Sequence, residues 1–258
     1  MRIYFSMPQI NGPSILCLGV FDGLHLGHKT IIQKAVELSE IELSPVIVYS
    51  FDKRPAEFLT GAKPNLLTTH MQKAKLLHQF GVHALCIDHF DAEVAKIEPE
   101  VWLERLCKAF KPEHIFTGYN YTFGNLGRGN NQMLKQFEQE YGYTLHVTSE
   151  VLSEELTVSS TRIREHIQKG EIEQANALLG YAYTMPMRLI KIEENKYYFE
   201  ALGEKIQPSF GNYAVELYQH HFNSNAILQF GNQIIVESKQ VFPFRLKEKV
   251  AIRFTHCL

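Results

Sequence analysis

The chain has 258 residues, 45% hydrophobic and 21% charged, with a net charge of −2. It is long enough to bury one large core or two modest ones, and without a long basic run it is not a general nucleic-acid binder. No apolar stretch approaches the roughly 20 residues that span a bilayer.

Met1–Pro8 lacks the long apolar segment and small-residue cleavage site of a signal peptide. Cys17, Cys86, Cys107 and Cys257 are widely spaced, and three of them lie in apolar segments. They read as buried thiols of a cytoplasmic protein, not as a disulfide framework or a zinc site.

From residue 13 to about 148, short apolar runs alternate with amphipathic ones. The predicted strands are Ser14–Gly19, Pro45–Ser50, His83–Asp88, His114–Thr117 and Thr144–Thr148, and helices fall near 27–39, 69–80, 99–110 and 130–141. The third helix has the clearest period, with Leu103, Leu106, Cys107 and Phe110 at i, i+3, i+4, i+7 and Pro99 in the first turn. This alternation predicts right-handed βαβ crossovers and a parallel, doubly wound α/β sheet of Rossmann-like type. Such sheets bind ligands beyond the carboxyl ends of their strands. Gly19–His28, Ser50–Pro55 and Gly118–Gly124 all follow predicted strand ends.

Two short helices are expected at Ser159–Lys169 and Glu171–Leu179. After about residue 184 the texture changes. Arg188–Glu193, Lys196–Ala201, Asn212–Gln219, Ala226–Phe230, Gln233–Glu237 and Lys247–Phe254 read as short strands without intervening helices. They predict a small antiparallel barrel or sandwich over 185–258, after a first domain over 1–184, with the boundary near Thr184–Pro186.

Gly19-Val-Phe-Asp-Gly-Leu-His-Leu-Gly-His28 carries the strongest chemical signal. A glycine turn between a strand and a helix leaves backbone N–H groups and the positive end of a helix dipole facing one spot, which suits a phosphate. His25 and His28 lie there, and Gly27 removes a side chain that would block close approach. No nearby Cys or Asp completes a zinc set, so the pair reads as two donors aimed at phosphate oxygens, stabilising charge that grows during phosphoryl transfer. Asp22 either binds a cation or caps the turn.

Ser159-Ser-Thr-Arg-Ile-Arg164 reads as an N-capping cluster and as a second anion site, with Ser159, Ser160, Thr161 and Arg162 at a helix start. Gly118-Tyr-Asn-Tyr-Thr-Phe-Gly124 places aromatics and the Asn120 amide beside the expected cleft, where they either pack the loop or contact a flat heterocycle.

In this order and spacing the three segments resemble the adenylyltransferase half of the bacterial bifunctional riboflavin kinase/FAD synthetase family. Gly19–His28 looks like its G-x-F-D-G-x-H-x-G-H signature, Gly118–Gly124 like its flavin-associated G-x-N/D-F-x-F-G loop, and Ser159–Arg164 like S-S-T-x-I-R. Ala175–Gly180 is similar to the A-x-x-L-L-G element that ends the module, so the resemblance covers roughly 14–184. It implies an FMN adenylyltransferase that makes FAD and pyrophosphate from ATP and FMN with Mg²⁺.

The resemblance makes His25, His28 and Arg162 catalytic. It gives ATP the residues Gly19, Phe21, Asp22, Gly23, Ser159, Ser160 and Thr161, and flavin Asn120, Tyr121 and Phe123, with no protein metal site. The expected partners are therefore small molecules, not nucleic acid or a membrane. Two departures stand out. The family's F-E/D-P-H-P reads Phe51-Asp-Lys-Arg-Pro55 here, and the C-terminal part lacks the glycine-rich segment ending G-F/Y-P-T-A-N that carries kinase activity. Pro208–Leu217 faintly resembles the G-x-Y-x-V strand of the kinase barrel, so a shortened barrel without riboflavin kinase activity is expected. The alternatives are a related nucleotidyltransferase with another phosphate acceptor and a non-catalytic flavin-nucleotide binder.

Overall fold

A computed structural model describes residues 1–61, 65–219 and 221–258. The described residues divide into two compact units, Met1–Pro64 with His70–Thr157, and Asn65–Thr69 with Val158–Leu258. This division by contacts differs from the boundary near Thr184–Pro186, where the texture passes from helical to all-strand. Helices Ser160–Lys169 and Ile172–Leu179 belong to the second unit by their contacts, because Asn176 of the latter donates to the carbonyls of Phe254 (3.0 Å) and Thr255 (3.3 Å).

The first unit is a six-stranded parallel sheet built from β1 (Arg2–Tyr4), β2 (Ser14–Leu18), β3 (Val46–Phe51), β4 (Ala84–Asp88), β5 (Pro112–Gly118) and β6 (Thr144–Thr148). Their spatial order is β1-β4-β3-β2-β5-β6. The five expected strands are all present, and β1 adds an edge that three residues were too short to announce. β2 and the first five residues of β3 are buried on both faces, which is why they read as unbroken apolar runs.

The two-residue period of a strand sorts their side chains between two cores. Leu16, Leu18, Ile47 and Tyr49 pack with Trp102, Leu103, Leu106 and Phe110 of α4 (Pro99–Phe110). On the opposite face, Ile15, Cys17, Val46 and Val48 pack with Ile31 and Ile32 of α1 (Leu26–Glu42) and with Ala74 and Leu77 of α3 (His70–Gln79). A short α2 (Pro55–Thr60) was not expected. The predicted helix near 130–141 is broken at Phe137 into α5 (Asn131–Gln136) and α6 (Glu138–Tyr141).

The chain winds from β2 outward through β3 to β4, then returns to place β5 on the other side of β2. The topological switch point therefore lies between β2 and β5, where ligands bind in sheets of this kind. The segments that follow those two strands are Gly19–His28 and Gly118–Gly124.

In the second unit α7 (Ser160–Lys169) and α8 (Ile172–Leu179) precede six antiparallel strands. These are β7 (Thr184–Glu193), β8 (Lys196–Ala201), β9 (Gly211–Gln219), β10 (Phe222–Phe230), β11 (Ile234–Glu237) and β12 (Lys249–Cys257). They close into a barrel in the order β7-β8-β11-β10-β9-β12, which decides between barrel and sandwich. Met187, Leu189, Phe199, Leu217, Val236 and Ile252 are among the buried side chains of its strands.

Candidate functional site

α1 starts earlier than the sequence announced. His25 is its N-cap residue, in extended backbone, and His28 lies in its first turn, so both imidazoles sit at the end of the helix where N–H groups have no partner within the helix and the dipole is positive. The two rings stack with centroids 3.7 Å apart and planes at 23°. The Phe21 ring meets His28 edge-on at 5.2 Å.

The preceding turn is tightly wound, with positive φ at Phe21 (49°), Gly23 (83°) and Leu24 (41°). For Phe21 and Leu24 this backbone costs of order 1–3 kcal/mol each, and only a surrounding structure that fixes it sustains the cost. Phe21 and Leu24 are both buried in the core beneath α1. Phe21 therefore packs as the wall behind His28, and Gly19 gives it room: a Cβ there would come within 3.1 Å of the Phe21 ring.

A lysine that the sequence reading passed over holds this turn from below. Lys73 of α3 is only 3% exposed. Its Nζ donates to the Val20 carbonyl at 2.7 Å and to Ser50 Oγ at 3.0 Å. Ser50 Oγ also donates to the Val20 carbonyl at 2.8 Å, and the Gly19 N–H donates to the Tyr49 carbonyl at 3.3 Å. Burial pushes the Lys73 ammonium down to about 8, while the charge of buried Asp22 works in the opposite direction. Asp22 thus bears on Lys73, a role that neither sequence alternative named.

His28 is held well below the ordinary imidazole value by burial, then by the charges of His25 and Lys73, and its Nδ1 is buried without a hydrogen-bond partner. In the free protein it is a neutral ring available to a ligand.

The strand ends on the other side of the turn carry a second polar cluster. His89 Nδ1 lies 2.6 Å from Asp52 Oδ2, and the Phe90 N–H donates to Asp52 Oδ1 at 2.9 Å. Partial burial alone would raise the Asp52 carboxyl, but those two bonds outweigh it and hold the group low. The residues that replace the family's Pro and His turn onto their own helix. Arg54 pairs with buried Glu57, and Lys53 lies 5.9 Å above the Phe58 ring.

Beyond β5, the three residues expected at flavin part company. Asn120 is exposed, whereas Phe123 is buried in the core, with its ring 4.9 Å from Trp102 and 5.9 Å from Tyr121. Burial also pushes the Tyr121 hydroxyl upward. The loop is fixed by Asn131, a residue the sequence reading missed. Its amide donates to the carbonyls of Gly118 (2.8 Å) and Tyr119 (3.0 Å), and its Oδ1 accepts from Thr117 Oγ1 at 2.9 Å. The signal was faint: an Asn pair opening a helix, of which Asn130 is the cap and Asn131 the clamp.

Asn131→Ala leaves three polar groups to find other partners, at about 1–3 kcal/mol for each group that stays dry. It should lower the urea midpoint followed by the fluorescence of Trp102, the chain's single tryptophan.

Ser159, Ser160, Thr161 and Arg162 lie in the second unit at the start of α7. Ser159 Oγ caps the helix by accepting from the Arg162 N–H at 3.2 Å, as the N-capping reading expected. Ala175–Gly180 ends α8, with Gly180 at φ 74° and Asn176 Oδ1 accepting from the Tyr183 N–H at 2.7 Å. Cys17, Cys86 and Cys107 are free and buried, which pushes the Cys86 and Cys107 thiols up to about 12 and Cys17 further. Among the described residues no three His, Cys, Asp or Glu side chains form a metal-holding group, and no helix is long and apolar enough to cross a membrane.

Three histidines of the first unit, His28, His70 and His146, sit below the 6.5 of an ordinary imidazole, in each case chiefly through burial. Their protons bind more tightly in the unfolded chain. Their contribution to stability is therefore complete above about 6.5 and is lost as pH falls toward the lower folded values. The urea midpoint followed at Trp102 should fall between pH 7.5 and 5.5. His146→Gln should flatten part of that slope, since His146 also faces His114 at 3.1 Å.

Comparison with known proteins bears on this geometry. The sequence model of the family described as FAD synthetase matches residues 7–162. The bifunctional riboflavin kinase/FMN adenylyltransferase of Listeria monocytogenes is 30% identical over 173 residues, which cover 66% of this chain and 54% of that protein. Its namesake from Bacillus subtilis is 28% identical over the same coverage, and that from Escherichia coli is 28% identical over 212 residues, 79% of this chain and 67% of that protein. The match thus spans about half the length of the first two curated relatives.

A solved structure described as a macrolide-efflux protein from Streptococcus pneumoniae superposes with a TM-score of 0.89. It covers 100% of this chain and 91% of that one at 20% identity, a likeness of fold alone. With a family match over more than half its length, and with the strand–turn–helix of that match intact around His25 and His28, this chain belongs to the FAD synthetase family.

Proposed function

We propose that the chain is an FMN adenylyltransferase, joining the AMP part of ATP to FMN. The observation that carries this reading is the stacked His25–His28 pair at the positive end of α1, with His28 neutral and its Nδ1 unpartnered, at the switch point of an FAD synthetase-family sheet. The names of the relatives, which include FMN adenylyltransferase, support it.

In the proposed reaction a phosphate oxygen of FMN attacks the α-phosphorus of ATP. The new P–O–P bond forms as the bond to the bridging oxygen of the β-phosphate breaks, and pyrophosphate leaves with that electron pair. No protein nucleophile is required, so catalysis rests on positioning and on charge stabilisation.

His25 and His28 donate to phosphate oxygens, and the backbone of Gly19, Asp22 and Gly23 approaches the nucleotide, with Phe21 as the packed support of His28. Ser159, Ser160, Thr161 and Arg162, a capped helix start, hold the β- and γ-phosphates on their chemistry. Mg²⁺ enters with the triphosphate, whose oxygens are the hard donors this ion takes. Asn120 faces the flavin, while Tyr121 and Phe123 shape the loop that presents it.

The barrel is proposed to lack riboflavin kinase activity, because the glycine-rich segment ending G-F/Y-P-T-A-N is missing from its sequence. The buried free thiols support a cytoplasmic setting.

Incubation with ATP, Mg²⁺ and either FMN or riboflavin, followed by chromatography of the flavins, tests both statements. FAD and pyrophosphate should form from FMN, and riboflavin should remain unchanged. FMN appearing from riboflavin would remove the kinase claim. Pyrophosphate release that prefers nicotinate mononucleotide or phosphopantetheine would remove FMN as the acceptor, and tight binding of ATP and FMN without FAD would remove catalysis.

A further inference from the structure

We propose that Lys73 is a positioning residue of the nucleotide site: from inside the protein its ammonium fixes the Val20 carbonyl and the Ser50 hydroxyl, and so sets the turn that carries His25 and His28. The inference concerns the architecture of the turn and rests on the proposed function only for its kinetic consequence.

A lysine is rarely buried without a reason, since removing its charge from water is costly unless the charge is paired and hydrogen-bonded. A neutral side chain of similar length would fill the space beneath the turn equally well. What the lysine adds is a pair of directed bonds, to Val20 O at 2.7 Å and Ser50 Oγ at 3.0 Å. The first holds the residue immediately before Phe21, where the backbone crosses into positive φ. The second ties that point to the end of β3. Val20 thus receives both Lys73 and Ser50, so the strained turn is clamped at its entry.

The clamp is also a charge. The groups that face it are Asp22 of the turn, His28 at the start of α1, and His70 on its own helix; His25 in turn faces His28, and Asp52 of the segment after β3 faces His70. Asp22 favours the ammonium, and the ammonium disfavours protonation of His28 and His70. One buried cation therefore does two things to His28: it fixes the backbone that the ring packs against and keeps the ring neutral until an anion arrives. A misplacement of about 1 Å can cost about 10²-fold in rate.

The test uses the full chain. Lys73→Met keeps the stem and removes the clamp. It should lower kcat for FMN-dependent pyrophosphate release about 10- to 100-fold, and it should raise the titration midpoint of His28 read by imidazole NMR on the free protein. Lys73→Arg, always charged, should restore part of kcat and abolish the alkaline fall in activity expected near pH 8 in the unaltered enzyme.

The unaltered protein supplies a reading that survives misfolding of either variant. The Phe21 amide shift should titrate together with the Lys73 side chain between pH 7 and 9.5. A Phe21 amide that stays flat while Lys73 titrates overturns the proposal, as does a folded Lys73→Met protein with unchanged kcat and an unchanged His28 midpoint. If the unaltered protein makes no FAD, the functional reading fails while both NMR measurements still decide the clamp.

Discussion

Replacing His28 with alanine is expected to lower FMN-dependent pyrophosphate release by about 10²–10³-fold, the usual loss when one preorganised donor to a developing charge is removed. The loss follows from how the ring is held. His25 stacks on one face at 3.7 Å and Phe21 meets it edge-on at 5.2 Å, so the imidazole points where the helix start points. Because His28 is neutral in the free protein, it takes on little charge until phosphate arrives, and its contribution grows as negative charge grows. The loss should therefore fall on kcat more than on KM for ATP. The protein should remain folded, because His28 is partly exposed and outside the two sheet cores. Steady-state kinetics alongside a urea curve at Trp102 checks both parts, and a folded variant within threefold of the unaltered kcat would remove His28 from the reaction.

The largest loss of stability is expected at Gly124. Its φ of 70° with ψ of −172° lies in an extended positive-φ region essentially reserved for glycine, and a Cβ there would stand 2.7 Å from Pro99 Cα and 2.9 Å from Pro99 N. These are backbone atoms at the first turn of α4, so no side-chain rotation relieves the contact. The segment is also tied down, since the Asn125 N–H donates to the Ile97 carbonyl at 2.7 Å and Arg128 pairs with Glu98. That backbone costs an L-residue about 1–3 kcal/mol and overpacking about 1–3 kcal/mol more, so Gly124→Ala should cost roughly 2–6 kcal/mol.

Gly142→Ala is the comparison from ordinary left-handed helical backbone, at φ 72° and ψ 30°. Nothing lies within 4 Å of a Cβ added there. Equal urea midpoints for the two variants would show that neither the Pro99 contact nor the glycine-only backbone of Gly124 carries weight. Because Gly124 closes the loop that presents Asn120, a variant that folds should also show a raised KM for FMN.

Much of this was legible in the sequence, for identifiable reasons. The sheet strands announced themselves because a parallel strand covered on both faces must be apolar throughout. The barrel strands did so by the absence of helices between them. The turn at Gly19–His28 was legible because glycine and histidine are informative at such a junction.

The supports of the site were not. Phe21 reads as a motif residue, and nothing in its identity reveals that it bears a positive φ and packs behind His28. Phe123 reads as an aromatic beside a cleft, whereas its ring packs into the core against Trp102, tilted by 35°. Lys73 was hidden by its residue type, since a lysine in an amphipathic helix is normally assigned to solvent. The clue was its position, next to Ala74 and four before Leu77, on the buried face of α3.

The membership of Asn65–Thr69 has a consequence for modularity. This short stretch lies between residues of the first unit along the chain, yet the Leu66 N–H donates to the Glu204 carbonyl at 2.9 Å and the Leu66 carbonyl accepts from the Ile206 N–H at 3.0 Å. Lys205 donates to the carbonyl of Leu67, and Arg164 Nε to that of Asn65 at 2.8 Å. The polypeptide therefore enters the second unit, leaves it and enters it again, like a seam sewn with one backstitch. No single cut yields both halves intact, and a chimera joined only at residue 157 would separate these donors and acceptors. A transplant of the barrel into another protein must carry the backstitch with it.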